Sequence, residues 1–148
     1  ITILTMGPPR AAEIIREAIF RGADTGIVLT DRAFAGADTL ATSYALSAAI
    51  RKVGEFDLII AGRQAIDGDT AQVAPQVAEK LHLPQVTYAE KIEKVADGKA
   101  VITRRIESGV ETVEQCQRRC RHWSTLVLIF NSRSGVQTLL MRIQNKLA

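Results

Sequence analysis

The stretch from Phe56 to Leu81 leaves this chain few possible architectures. An apolar run, Phe56 to Ala61, leads into Gly62-Arg63-Gln64-Ala65-Ile66-Asp67-Gly68-Asp69-Thr70-Ala71-Gln72-Val73-Ala74-Pro75, and Gln76 to Leu81 then reads as a helix. A short apolar run without polar alternation reads as a strand buried on both faces, as in a parallel sheet. A turn of small and polar residues between such a strand and a helix lies beyond the carboxyl end of the sheet, where α/β proteins bind ligands. The N–H groups that open a helix have no partner within it and favour a negative group. The loop is therefore expected to hold the phosphates of a nucleotide.

The chain before this stretch repeats the same alternation. Ile1 to Met6 reads as a strand, Gly7-Pro8-Pro9 turns it, and Ala12, Ile15, Ala18 and Ile19 recur at helical spacing with Gly22 as a C-cap. Gly26 to Thr30 is a second apolar strand. Asp38 or Thr39 then caps a helix carrying Leu40, Tyr44, Ile50 and Val53. Strands alternating with helices in this order imply a parallel sheet with right-handed crossovers. Three turns then share one sheet edge: Met6-Gly7-Pro8, Asp31 to Asp38, and Gly62 to Thr70.

Beyond Leu83-Pro84-Gln85 the pattern changes. Val86 to Val95 and Ala100 to Ile106 read as strands joined by Asp97-Gly98, a hairpin signal, and Ser108-Gly109 turns the chain into Val110 to Val113. This is an antiparallel addition to a parallel core. At 148 residues with 47% hydrophobic content the chain suits one globular domain. No apolar run approaches the roughly 18 residues that cross a membrane, and the N-terminus lacks the basic leading region of a signal peptide. Membrane insertion is not expected, and a cytoplasmic location is. The chain starts inside a strand without Met, as if its true beginning were missing.

The formal net charge of +3 conceals a break near residue 115. Residues 1–114 hold 13 Lys and Arg and all 16 Asp and Glu, whereas 115–148 hold the other 6 basic residues and no acid. Two segments are therefore expected, a nucleotide-binding domain over 1–114 and an atypical basic tail over 115–148, whose composition fits a frameshifted or otherwise unnatural end. The basic pI belongs to this tail and says little about the partners of the body.

The residues of the binding edge resemble the small (beta) subunit of electron transfer flavoproteins. The resemblance is carried by Thr5-Met6-Gly7-Pro8-Pro9, Gly22-Ala23-Asp24, Asp31-Arg32-Ala33-Phe34-Ala35-Gly36-Ala37-Asp38-Thr39, Gly62 to Gln72 and Pro84-Gln85-Val86-Thr87. It covers Ile1 to about Glu114. The resemblance implies a three-layer, Rossmann-like α/β fold of the adenine nucleotide alpha hydrolase type, here with an antiparallel C-terminal extension. It implies an electron carrier rather than an enzyme, paired with a large (alpha) subunit and serving a dehydrogenase such as an acyl-CoA dehydrogenase. It implies a bound adenine nucleotide, FAD or AMP, and the Asp31 to Thr39 segment is more similar to bifurcating-type subunits, which favours FAD. Carried over residue by residue, the contacts fall on Met6 and on Asp67, Gly68, Asp69, Thr70, Ala71, Gln72, Val73, Ala74, Pro75, Gln76, Val77 and Ala78. The family has a further N-terminal strand with an Asn-Pro motif before the point matching Ile1, and a leucine-proline strand with a partner-docking loop after residue 114. Neither is readable here, so the pocket is expected to be incomplete.

Individual residues carry competing readings. Asp67 and Asp69 are read as turn and helix-capping residues rather than as a metal or general-base pair, with backbone donation around Asp69 to Gln72. Pro75 supports this, because inside a helix it removes a hydrogen bond and so leaves earlier N–H groups free. Arg63 at the strand end is a candidate partner for phosphate or a flavin anion. Thr39 and Thr70 are read as N-caps or phosphate contacts, Phe34 as a core residue, and Tyr88 as packing on the sheet. Cys116, Cys120 and His122 lack a fourth ligand for zinc. Arg118, Arg119, Arg121 and Trp123 are not read as a nucleic-acid patch. No metal ligand set, catalytic triad or Walker loop is readable, so no catalytic side chain is assigned. A competing class is an adenine-nucleotide-binding regulatory module of the stress-protein type, with the same architecture and no redox role.

Overall fold

The computed structural model describes residues 1–54, 56–65, 68–96, 99–116, 126–130 and 138–141. Asp67, the Asp97-Gly98 turn, and Arg118, Arg119, Cys120, Arg121, His122 and Trp123 lie outside the described residues.

The strand and helix alternation expected from the sequence is present. Strand β1 (Thr2–Met6) passes through a single 3-10 turn, Pro9–Ala11, into helix α1 (Ala12–Phe20). Then follow β2 (Thr25–Leu29), α2 (Thr39–Val53), β3 (Leu58–Gly62) and α3 (Val73–Leu81). The second half is β4 (Gln85–Ala96), β5 (Lys99–Ile106), β6 (Gly109–Cys116), β7 (Leu126–Phe130) and β8 (Thr138–Met141). Helix α3 starts earlier than Gln76. Pro75 sits in its first turn, where a missing N–H has no intrahelical partner to lose.

Among the described residues one eight-stranded sheet runs β2-β1-β8-β3-β7-β4-β5-β6. Strand β1 pairs parallel with β2, and β7 pairs parallel with both β3 and β4. Strand β8 lies antiparallel between β1 and β3, so β1 and β3 themselves run in one direction. Strands β4, β5 and β6 form an antiparallel meander in which Ala96 pairs with Lys99. No strand is expected from the sequence reading beyond residue 115, although Leu126 to Phe130 is an apolar run of the buried-strand kind. The two found there sit at the centre of the sheet, and Val127, Leu128 and Ile129 of β7 are buried. An apolar run in a basic segment lies among these strands because a central position hydrates neither face.

Helices cover both faces. Leu4, Ile59, Ala61, Val127 and Ile129 pack against Leu46 and Ile50 of α2 and Ala74, Val77 and Ala78 of α3. On the other face Ile15 of α1 lies over Gly26, the register partner of Ile3. The chain thus leaves β1 with one helix face and returns toward β3 with the other, as right-handed crossovers require. A second apolar cluster on the far side of β3 and β7 joins Leu58 and Leu128 to Val86, Ala89, Ala100 and Ile102 of the meander.

The buried face of α2 is Ser43, Leu46, Ser47 and Ile50, whereas Leu40 and Tyr44, which help mark the helix in the sequence, are exposed. The helix admits the two serines because each hydroxyl donates to a carbonyl of its own helix: Ser43 to Leu40 at 2.8 Å and Ser47 to Ser43 at 2.7 Å. Among the described residues, no helix is long and apolar enough to cross a membrane.

Gly26 permits the close approach of α1, since an added Cβ would overlap Ile15 Cγ2. Gly26→Ala is therefore expected to cost about 1–3 kcal/mol by overpacking, read as a lowered urea midpoint with an unchanged slope.

Candidate functional site

The carboxyl ends of β1, β2, β3, β7 and β4 lie along one edge, as the parallel pairings require. At the end of β3 a cavity of about 300 Å3 opens between the first turn of α2 and the loop leading to α3. Its walls are Ala37, Asp38, Thr39 and Thr42 on one side and residues between Ala61 and Ala74 on the other, with Ile59, Val77 and Val127 at its base. Chain direction reverses here: α1 carries the chain outward from β1 to β2, and α2 carries it back toward β3. Both walls rise from one face of the sheet, since α2 and α3 pack side by side over Ile59 and Ala61.

The wall from α2 begins with a cap. Asp38 is the N-cap, and its carboxylate accepts from the Ala41 N–H at 2.8 Å. Thr39 is the first helical residue, so its hydroxyl is not used in capping and donates instead to Gln72 Oε1 at 3.1 Å. This bond links the two walls.

The wall from the loop uses uncommon backbone geometry. The Asp69 N–H donates to the Ala65 carbonyl at 3.2 Å, closing one turn. Asp69 and Ala71 have φ of 45° and 55°, in the left-handed region. Helix α3 opens with Gln72 as its N-cap and no side-chain cap. Asp69 therefore does not cap the helix, contrary to the capping expectation; its carboxylate accepts from Gln64 Nε2. Among the described residues no backbone carbonyl accepts from the N–H groups of Thr70, Ala71 or Gln72. Alternating backbone handedness at such a loop is the geometry in which successive N–H groups line an anion-sized concavity.

Arg63 lines the cavity, with its Nε donating to Gln64 Oε1 at 2.7 Å and its guanidinium 5.5 Å from the Tyr88 ring centroid. Tyr88 is exposed at an irregularity of β4 rather than packed beneath it. Phe34 is half-buried outside the core, in an adjoining groove of about 570 Å3 with Leu40, Tyr44 and Lys80.

Of the sequence-derived residues, Arg63, Gly68, Thr70, Ala71, Gln72, Val73, Ala74 and Val77 come together around the cavity. Met6 instead packs against the core, Ala78 is fully buried, and Asp69, Pro75 and Gln76 lie outside the lining. Gln76 Oε1 is buried without a hydrogen-bond partner among the described residues. Two of the three edge turns meet here, and the Met6 turn does not contribute. Sequence reasoning missed Gln64 and, apart from Thr39, the α2 wall as lining. The Asp31 to Asp38 turn had already been placed on the same edge, which was the available signal for the latter.

A parallel α/β domain with an open cavity at the carboxyl edge of its sheet, floored by apolar side chains, is of the class whose ligand sites lie at that edge. The chain belongs to the electron transfer flavoprotein family, whose domain model matches residues 1–120. It is 54% identical over 114 residues to the caffeyl-CoA reductase-Etf complex subunit CarD of Acetobacterium woodii, and equally so to the electron transfer flavoprotein subunit beta of Thermoanaerobacterium thermosaccharolyticum. It is 50% identical over 120 residues to protein FixA of Azorhizobium caulinodans. Each match covers 77% of this chain and 43% of the relative. The chain thus spans less than half the length of the curated relatives it matches. This membership is what the Gly62 to Gln72 and Met6-Gly7-Pro8 strings implied.

The Asp38 cap fixes where the α2 wall begins. Asp38→Ala is expected to lower stability by about 1 kcal/mol, and Asp38→Asn by clearly less, both measured by urea unfolding.

Proposed function

We propose that this chain is the nucleotide-binding portion of the small subunit of an electron-carrying flavoprotein, and that its cavity takes the adenosine phosphate moiety common to AMP and FAD. The observation that carries the reading is the cavity itself, at the end of β3. On its rim are the N–H groups of Thr70, Ala71 and Gln72, which have no backbone acceptor among the described residues. The family membership supplies the redox context.

The donors present suit a phosphate. Three backbone N–H groups carry no negative charge of their own, and Arg63 adds a cation on the same wall. The apolar base, Ile59, Val77 and Val127, suits a flat ring that sheds water. A volume of about 300 Å3 is at the lower end of the roughly 300–1,000 Å3 usual for small-molecule sites and matches a mononucleotide moiety better than a whole dinucleotide. An FAD bound here would extend its flavin beyond the cavity mouth. When bound as FAD, the group supplies one- and two-electron flavin chemistry. The residues of this chain then bind and orient it, exclude water from its adenosine end and offset its phosphate charge.

Pairing with a large subunit, exchange with a dehydrogenase and membership of an electron-bifurcating assembly follow from the same reading. The similarity of Asp31 to Thr39 to bifurcating-type subunits favours FAD over AMP. A regulatory nucleotide-binding module without redox role is the second reading, and the family membership disfavours it.

Co-expression with a large subunit is expected to yield a yellow heterodimer that releases an adenine nucleotide on denaturation. A stable homodimer that takes up ATP without any flavin would overturn the carrier reading. Because the phosphate is held by backbone donors, adenosine is expected to bind at least about ten-fold more weakly than AMP, as read by equilibrium titration. Equal affinities would remove the phosphate from the rim.

A further inference from the structure

Gln64 is buried, 7% exposed, and sits in the wall of the cavity between two charged neighbours. Its Oε1 accepts from Arg63 Nε at 2.7 Å, and its Nε2 donates to the Asp69 carboxylate. An arginine nitrogen can only donate and an ionised carboxylate can only accept, so the two partners determine which way the carboxamide faces. The carboxamide offers an acceptor and a donor side by side, one for each partner. A glutamate cannot donate to Asp69, and a leucine can do neither.

The bridge has a consequence for the loop. Gly68 and Thr70 line the cavity while Asp69 between them does not. Asp69 occupies the left-handed region at φ 45°, and its side chain is drawn back toward the end of β3 by Gln64. Released, that carboxylate stands next to the three N–H groups of residues 70–72 and competes for them. It would also repel a phosphate across a few ångströms, an interaction weakly screened at a partly enclosed site.

We propose that Gln64 is a positioning residue that holds the Asp69 carboxylate back, so that the loop presents N–H groups rather than negative charge to the cavity. The proposal rests on the nucleotide reading for its ligand, and on the hydrogen bonds alone for its effect on the loop. It gives Asp69 a role other than metal ligand or helix cap: the partner that fixes the loop's left-handed turn.

The test uses three variants. Gln64→Leu leaves the charge unchanged and removes the bridge. Gln64→Glu sets two carboxylates against each other. The double variant Q64E/D69N restores the bridge with its polarity inverted. The carboxamide introduced at position 69 then donates to the carboxylate introduced at position 64, while Arg63 still donates to the other oxygen of that carboxylate. AMP and FAD are titrated in parallel, and amide hydrogen exchange over residues 68–72 is followed without ligand. Gln64→Leu and Gln64→Glu are expected to weaken binding of whichever nucleotide the wild type takes up by about ten-fold, and to raise exchange. Q64E/D69N is expected to recover both.

For Gln64→Glu the ratio of variant to wild-type affinity should rise as pH is lowered. Two adjacent carboxylates raise the pKa of one of them, and the shared proton remakes the bond. A merely structural lesion would show no such pH dependence. Normal binding and exchange in Gln64→Leu, or a double variant as impaired as Gln64→Glu, would overturn the proposal. If Gln64→Leu fails to fold by circular dichroism, the pH dependence of Gln64→Glu and the recovery in the double variant decide in its place. A wild type that binds neither nucleotide, with the exchange pattern as expected, would remove the nucleotide reading and leave the positioning role of Gln64 supported.

Discussion

Strand β3 has no polar face, and most of the molecule follows from covering it. Leu58, Ile59 and Ala61 are buried and Ile60 partly so, which puts apolar groups on both sides of one strand. A strand of this kind must be sandwiched: α2 and α3 cover the Ile59 and Ala61 side, and the meander covers the Leu58 side. At roughly 25 cal/mol per Å2 of apolar surface removed from water, this burial outweighs any single polar contact in the fold. Neighbouring strands are then driven to the same depth, and β7 and β8 take up positions on either side of β3.

The same constraint creates the site. A parallel strand buried on both faces releases its chain only at the edge of the sheet, where the backbone must turn and its polar groups lose their ladder partners. In the Gly62 to Gln72 loop some of these groups are satisfied locally, as in the bond from the Asp69 N–H to Ala65. Others, at Thr70 to Gln72, find no backbone acceptor among the described residues. Two walls meet across the opening because α2 and α3 pack side by side on one face of the sheet, and the Thr39 to Gln72 bond ties them. The cavity is thus a by-product of crossover geometry, and its polarity comes from backbone that the sheet can no longer pair. The exposed ion pairs of the meander, such as Arg104 with Glu111 and Lys99 with Glu114 at 2.6 Å, lie away from it and contribute little, typically about 0–1 kcal/mol each.

Much of this was legible along the chain, and the failures have physical causes. The six strands and three helices up to Cys116 follow from local periodicity, turn chemistry and caps, all of which act between near neighbours. The buried face of α2 does not follow its apolar residues, because serines that satisfy their hydroxyls within the helix can be buried while an apolar Leu40 is left outside. Asp69 was read as a cap because its type and position fit one; its actual partner, Gln64, lies five residues back and is reached only through the left-handed turn. Strands β7 and β8 were not read at all. Their pairing partners, β3 and β1, are far away in the chain, and short apolar runs in a basic segment carry no local mark of where they pair.

The order of residues was enough to establish the parallel α/β core, the edge on which its turns gather and the membership of the electron transfer flavoprotein family. These depend on periodicity and on contiguous strings such as Gly62 to Gln72, which are properties of neighbouring residues. The left-handed turn at Asp69 was needed to stand Gln64 between Arg63 and Asp69, and long-range packing to bring the second wall of the cavity from α2 and to turn Met6 into the core. Those outcomes depend on which faces meet when distant segments pack, and a linear pattern does not encode the angle at which a crossover helix returns.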